Sequence, residues 1–316
     1  MKRRIVVGSR RSRLALAQTR QVLELWRRRA EEAGVTLEFD VREIVTTGDK
    51  VLDVTLSKVG GKGLFVKEIE QALLAGAIDV AVHSMKDVPA VLPAGLVIGA
   101  VPHREDPRDA LISRGGRKLA ELPAGGIIGT SSLRRACQLR ALRPDLRVEW
   151  IRGNVDTRLG RLERGDFDAI VLAAAGLNRL GWGDRISECL PVDEFLPAVG
   201  QGALGLECRE DDGPLRELLA LVHDPVTARE VAAERALLAR LEGGCQVPVG
   251  AHARLMPAGG NEDAPVLHLA GFVGDPDGRL LIRDELAGRD PEETGRKLAE
   301  RLLARGGEEI LRRTGM

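Results

Sequence analysis

Hydrophobic positions along the chain fall into short apolar runs separated by amphipathic stretches. Ile5-Val6-Val7 predicts a strand that ends at Gly8-Ser9 and leads into a segment with Ala15, Val22, Leu25 and Trp26 on one helical face. Leu37–Val45 predicts the next strand, Phe65–Ala75 a helix closed by Gly76, and Asp79–Val82 a compact buried strand. Such alternation implies βαβ units and a mostly parallel sheet. The order then recurs: Ile127–Ser131 mirrors Val6–Ser9, and Gly165–Val171 mirrors Gly76–Val82. The pattern therefore predicts two α/β lobes of related topology, with the chain crossing between them in segments 99–108 and 196–205, where Pro or Gly interrupts the pattern. In open α/β folds ligands gather outside the carboxyl ends of the strands. That rule places Gly8–Arg13, His83–Val88, Gly129–Arg135 and Arg152–Arg158 around one cleft.

From about residue 223 the pattern changes. Val231, Leu238 and Leu241 form a helical stripe, and three strand-like runs follow at Val249–Leu255, Val266–Val273 and Leu280–Leu286. Asp277-Gly278 signals a tight hairpin between the last two, and Asp290-Pro291 caps a final helix running toward Arg305. The expected division is 1–102 with 203–220 as one α/β lobe, 103–202 as the second, and 221–316 as a small α+β domain with a three-stranded antiparallel sheet.

Length and charge narrow the function. A chain of 316 residues exceeds one small core. With 47 basic and 47 acidic residues the formal net charge is zero, which argues against a general electrostatic grip on nucleic acid or an anionic membrane. No run approaches the ~18 apolar residues of a membrane span. The basic start lacks a long apolar stretch or cleavage signal, so a cytoplasmic location is expected. Cys137, Cys189, Cys208 and Cys245 show no C-x-x-C pairing, and no metal site is expected. Of eight lysines, five fall at Lys50, Lys58, Lys62, Lys67 and Lys86, in a chain that otherwise uses arginine. Either an ammonium group is specifically required there or these lysines form a solvated face.

The candidate chemistry lies in the motif segments. Gly8-Ser9-Arg10-Arg11-Ser12 and Gly129–Arg135 both put hydroxyl side chains and guanidinium groups at a helix start. Positive charge there opposes the helix dipole: either these are N-caps with surface arginines or, as two matching positions with Arg152 and Arg158 favour, they hold a ligand bearing several carboxylates or phosphates. Gly60-Gly61-Lys62-Gly63 lacks the P-loop spacing and reads as either a lid or an ordinary surface loop. Asp87 is one acid among bases at a strand's carboxyl end. It either offsets developing positive charge and moves protons, or pairs with Lys86 or a nearby arginine. Cys245 sits on a glycine-rich turn that can present its sulfur, as a covalent tether or as a turnover nucleophile. The other three cysteines read as small buried hydrophobes.

Nine segments in order carry a family resemblance: GSRRSRLAL (8–16), TGD (47–49), VGGKGLF (59–65), HSMKDVP (83–89), REDPRDA (104–110), GTSSLRR (129–135), RGN (152–154), LPAVGQG (196–202) and LEGGCQVP (241–248). On these the chain resembles the porphobilinogen deaminases. The resemblance implies two lobes like type II periplasmic binding proteins plus a third domain. The implied activity is a transferase that joins four porphobilinogen molecules head to tail with loss of ammonia, giving the linear tetrapyrrole hydroxymethylbilane. It further implies a dipyrromethane cofactor on Cys245, Asp87 as catalytic carboxylate, and a monomer. Cofactor and substrate carboxylates are then expected on Arg10, Lys58, Lys62, Ser84, Lys86, Thr130, Ser132, Arg134, Arg135, Arg152, Arg158 and Arg179. Two other readings remain: a two-lobed anion-binding sensor module, which needs neither Cys245 nor a third domain, and a cysteine acyl-transfer enzyme, which needs a paired histidine.

Overall fold

The computed structural model describes residues 2–50, 66–241, 248–257 and 265–313. Its strands are β1 (Lys2–Arg10), β2 (Thr36–Ile44), β3 (Val80–Ser84), β4 (Leu96–Ala100), β5 (Asp109–Ser113), β6 (Ile127–Gly129) and β7 (Arg147–Glu149). Then follow β8 (Ala169–Ala173), β9 (Glu188–Cys189), β10 (Leu204–Arg209), β11 (Val249–Met256), β12 (Val266–Gly274) and β13 (Leu281–Gly288). The chain divides into two compact units, Met1–Glu105 with Ala203–Ala228, and Asp106–Gly202 with Arg229–Met316.

In the first unit the sheet order is β2-β1-β3-β10-β4, and in the second β7-β6-β8-β5-β9. These are one order repeated: β6, β7, β8 and β9 take the places of β1, β2, β3 and β4. The predicted internal repeat is thus a repeat of topology. The sheets are mostly parallel as expected, with one exception each, since β10 and β5 run antiparallel to both neighbours. Each enters straight from the other unit rather than through a crossover helix, and an antiparallel partner needs no crossover.

β1 is longer than its apolar triplet. It pairs with β2 over its whole length, Gly8, Ser9 and Arg10 included. Gly8 does not end the strand; a Cβ there would come within 2.3 Å of the Ile78 side chain, so the glycine serves close packing. The helix Arg13–Glu32 begins only after Ser12, whose Oγ accepts from Ala15 N at 3.2 Å. Arg10 therefore ends a strand and does not stand at a helix start. The helix buries Val22, Leu23, Trp26 and Ala30. Trp26 donates to the Leu218 carbonyl at 2.8 Å, giving its one polar atom a partner in the core.

The C-terminal sheet is the antiparallel meander β11-β12-β13, as predicted. Leu237 of helix Pro225–Arg240, Leu269 of β12, and Leu298 and Leu302 of helix Pro291–Leu302 close its core. The β12–β13 connection is wider than the Asp-Gly pair suggested. Asp275 N donates to Leu280 O at 2.9 Å across a six-residue loop, in which Gly278 takes a φ of 73°. Asp290 caps the last long helix as predicted, accepting from Glu293 N at 2.7 Å. That helix is not final: Gly306, at φ 108°, turns the chain into a further helix, Glu308–Arg313.

Candidate active site

In the first unit β1 and β3 are parallel neighbours, so their carboxyl ends open at one edge of the sheet. Arg10 ends β1. β3 runs through His83 and Ser84, then turns at once into a single 3-10 turn, Met85–Asp87. Arg10 Nη1 lies 3.9 Å from Asp87 Oδ2, with both side chains partly exposed. That separation is an ion pair beyond hydrogen-bond length, which leaves the carboxylate able to accept from a ligand. Ser84 Oγ is 3.1 Å from Nε2 and 3.2 Å from Oε1 of buried Gln18, so the amide orients the hydroxyl. Lys86 sits half-buried between Ser84 and Asp87. The structure thus brings Arg10, Ser84, Lys86 and Asp87 to one edge.

In the second unit the helix Leu133–Leu142 starts after Ser132, whose Oγ accepts from Arg135 N at 3.4 Å. Thr130 Oγ1 accepts from Ser132 N at 3.2 Å. Both hydroxyls therefore cap the backbone. Arg134 and Arg135, expected to face a ligand, are only 4% and 6% exposed and share a fully buried carboxylate, Asp109. Arg134 Nη1 and Nη2 donate to Asp109 at 2.7 and 3.2 Å, and Arg135 Nε donates at 2.8 Å. Gln201 Nε2 adds a bond of 3.0 Å. Burial alone would raise the Asp109 carboxyl, but the two guanidinium groups outweigh it and hold the pKa at about 2. An internal carboxylate is thus one partner of the two arginines in the first turn of this helix.

One carboxylate cannot balance two guanidinium groups, and the surplus reaches further. Arg158 is half-buried and donates from Nε to Gly153 O at 2.7 Å. Its pKa falls to about 10, through burial first and then through the charges of Arg135 and Arg152. Positive charge is therefore concentrated around Arg135, Arg152 and Arg158. Burial also lowers the pKa of Arg135, with Arg134 adding to the effect and Asp109 opposing it. Arg179 donates from Nη2 to the Gly202 carbonyl at 2.6 Å.

Lys58, Lys62 and Cys245 lie outside the described residues. The three described cysteines are poor nucleophiles. Burial pushes the Cys137 thiol up to about 12 and the Cys208 thiol up to about 11, and it raises Cys189 as well. Among the described residues no group of three His, Cys, Asp or Glu could hold a metal ion, and no helix is long and apolar enough to cross a membrane.

Sequence reasoning missed Asp109, Gln201 and Gln18. Asp109 and Gln201 both stood inside quoted motifs, REDPRDA and LPAVGQG, and an acid opening a buried strand opposite two arginines was the available signal. Gln18 carried none; it sits among apolar positions of a helix.

Comparison with known proteins sets this arrangement in a family. Residues 5–217 match the family model described as porphobilinogen deaminase, dipyromethane cofactor binding domain, and residues 228–304 match the porphobilinogen deaminase C-terminal domain. The chain is 57% identical over 312 residues to the porphobilinogen deaminase of Geobacillus kaustophilus, covering 98% of this chain and 97% of that one. It is 56% identical over 319 residues to that of Paenibacillus macerans, covering 97% and 98%. Among solved structures, lipoprotein Tp32 from Treponema pallidum overlaps 71% of this chain and 91% of its own, with 14% identity and a TM-score of 0.44. Two family models that together span most of the chain, and relatives matched nearly end to end, lead to one statement: the chain belongs to the porphobilinogen deaminase family.

Proposed function

We propose that the chain condenses four porphobilinogen molecules head to tail, releasing ammonia at each addition, and that Asp87 is the carboxylate that acts on the reacting pyrroles. The observation that carries the reading is the charge around Arg158. A half-buried guanidinium that burial and two like charges push down to about 10 is stabilised by an anionic ligand. A dipyrromethane bearing acetate and propionate groups is such a ligand, and Arg135, Arg152 and Arg158 would hold those carboxylates. When bound, the dipyrromethane supplies the pyrrole α-carbon on which chain growth begins.

The side chains of this protein do the rest. Asp87 accepts from pyrrole N–H groups, offsets the positive charge that develops as ammonia departs, and takes up the proton released when the new carbon–carbon bond is made. Arg10, 3.9 Å away, places a positive charge beside Asp87 without consuming it in a short hydrogen bond. Ser84, oriented by Gln18, and Lys86 bind carboxylates beside Asp87; Lys58 and Lys62 add ammonium groups. Thr130 and Ser132 hold the start of helix Leu133–Leu142, and with it Arg135, in place. Arg134 anchors that helix through Asp109 and Leu196 O. Arg179 steadies the segment ending at Gly202. Cys245 is the attachment point, in keeping with three other thiols held protonated by burial. The protein works as a cytoplasmic monomer.

Incubating the purified protein with porphobilinogen, while measuring released ammonia and the porphyrin formed after acid oxidation, tests the reading. Ammonia in fourfold excess over tetrapyrrole is expected. Binding of porphobilinogen without ammonia release would sink it in favour of a sensor module.

A further inference from the structure

The strand that carries Asp87 into place contains a buried ionisable pair that the chemistry above does not use. His83 on β3 is 4% exposed and Glu207 on β10 is 1% exposed. His83 Nε2 lies 2.9 Å from Glu207 Oε2 and donates to it when the carboxylate is ionised. Glu70, from helix Lys67–Leu74, is buried with them. Its carboxyl is raised, by burial and then by the Glu207 charge, with His83 opposing.

Such a group is a poor choice for stability alone. Desolvating an ion pair costs about as much as the pair returns, and apolar side chains of similar size do as well or better. The rest of β3 is apolar in its inward positions, Val80, Ala81 and Val82. The polar pair falls at the one place where β3 is about to become the Ser84–Asp87 turn. There the backbone is clamped to β10: His83 pairs with Gly205, Ser84 pairs with Leu204, and Met85 N donates to Ala203 O at 3.0 Å. Gly205 leaves room for the Met85 side chain, whose Cε would lie 2.8 Å from a Cβ there. Glu207 stands opposite Ala81, so the His83–Glu207 bond runs diagonally between the two strands and opposes sliding along the ladder. Asp87 follows within one 3-10 turn.

We propose that His83 is a positioning residue: bonded to Glu207, it holds the end of β3 in register on β10 and thereby sets where the Asp87 carboxylate stands. The proposal rests on Asp87 being the acting carboxylate. His83 needs no contact with substrate, and its loss changes turnover rather than binding. A displacement of about 1 Å at a reacting group costs on the order of a hundredfold in rate.

The experiment compares His83→Leu, His83→Gln, the double variant His83→Leu/Glu207→Leu and Asp87→Asn, each as cofactor-loaded protein, by kcat, KM and thermal melting. His83→Leu is expected to lower kcat about ten- to a hundredfold with KM within about twofold. His83→Gln, which keeps a donor toward Glu207, should recover most of kcat. The double variant removes the stranded carboxylate, so it should recover the melting temperature of the unmodified protein and still turn over slowly. A double variant with normal kcat overturns the proposal, as does a His83→Leu defect confined to KM. Asp87→Asn separates this failure from the larger one: if it turns over normally, the reading of Asp87 itself is wrong.

Discussion

Arg134 grips Asp109 through both of its terminal nitrogens, at 2.7 and 3.2 Å, and the same Nη1 donates to the Leu196 carbonyl at 2.6 Å. A residue that reads as a ligand-binding arginine is thus also a bracket. Gln138 strengthens the attachment, donating to Leu196 O at 3.0 Å and accepting from Leu196 N at 2.8 Å. Arg135 belongs to both worlds: it bonds Asp109 while its charge bears on Arg158.

Replacing Asp109 by Asn strands two buried guanidinium groups without a counter-charge. Breaking a buried pair from one side costs about 3–5 kcal/mol, and that loss of unfolding free energy is expected in urea titrations. Acid should act on the same group. The Asp109 carboxyl has a folded pKa of about 2, below the unfolded value of 3.8, so its contribution is fully present above about pH 4 and is lost as pH falls toward 2. The contribution is about 2 kcal/mol. A variant whose stability between pH 5 and pH 2 falls in parallel with that of the unmodified protein would show that Asp109 has no part in the acid transition.

Arg158 gives the opposite sign. Its lowered pKa means that its charge is held at a cost in the empty protein and is useful only with an anion present. Arg158→Gln should leave the melting temperature of cofactor-free protein unchanged or higher. The same change should lower the fraction of protein that carries the dipyrromethane, since a ligand carboxylate loses one charge-assisted hydrogen bond, about 1.5–3 kcal/mol. A lower melting temperature with unaltered cofactor content by intact mass would mark Arg158 as structural.

The α/β alternation, the internal repeat and the closing three-stranded sheet were all legible in the sequence, because period and turn chemistry are local properties. What was not legible depends on partners far apart in the chain. Gly8 read as the end of a strand, whereas β1 continues through it to Arg10 and the Ile78 side chain packs over it. Arg134 and Arg135 read as ligand contacts because they stand at a helix start that matches Gly8–Ser12; their partner Asp109, 25 residues upstream of Arg134, reaches them only through the fold. The pull of Arg135 on Arg158 likewise exists only once the ends of β6 and β7 are side by side. Motif matching identified the segments, and packing decided which members of each segment face inward.

Cysteine chemistry offers a direct check on the tether. Intact mass should exceed the sequence mass by a two-pyrrole adduct, and the tryptic peptide containing Cys245 should carry it. With Cys137 and Cys208 held near 12 and 11, alkylation of the folded protein at pH 8 should leave both unlabelled. Fully active protein of unmodified mass would remove Cys245 from its proposed role.

Asp87 is the sharpest case, because charge, shape and position can be varied separately. Asp87→Asn keeps the shape and removes the charge. If the carboxylate acts on charge that develops during the reaction, turnover should fall by about 10²–10³ for electrostatic stabilisation, or about 10²–10⁴ if proton transfer is lost as well. Asp87→Ala should fall to a similar level, and Asp87→Glu, with the charge displaced by one methylene, should keep part of the activity. Stability should hardly change in any of the three. The Arg10–Asp87 pair is partly exposed and 3.9 Å long, and pairs of that kind contribute about 0–1 kcal/mol. A purely structural Asp87 predicts another order, with Asn tolerated and Ala acting through a lower melting temperature. Steady-state rates and melts on the three variants distinguish the two orders, and an Asn variant with near-normal turnover would take Asp87 out of the mechanism.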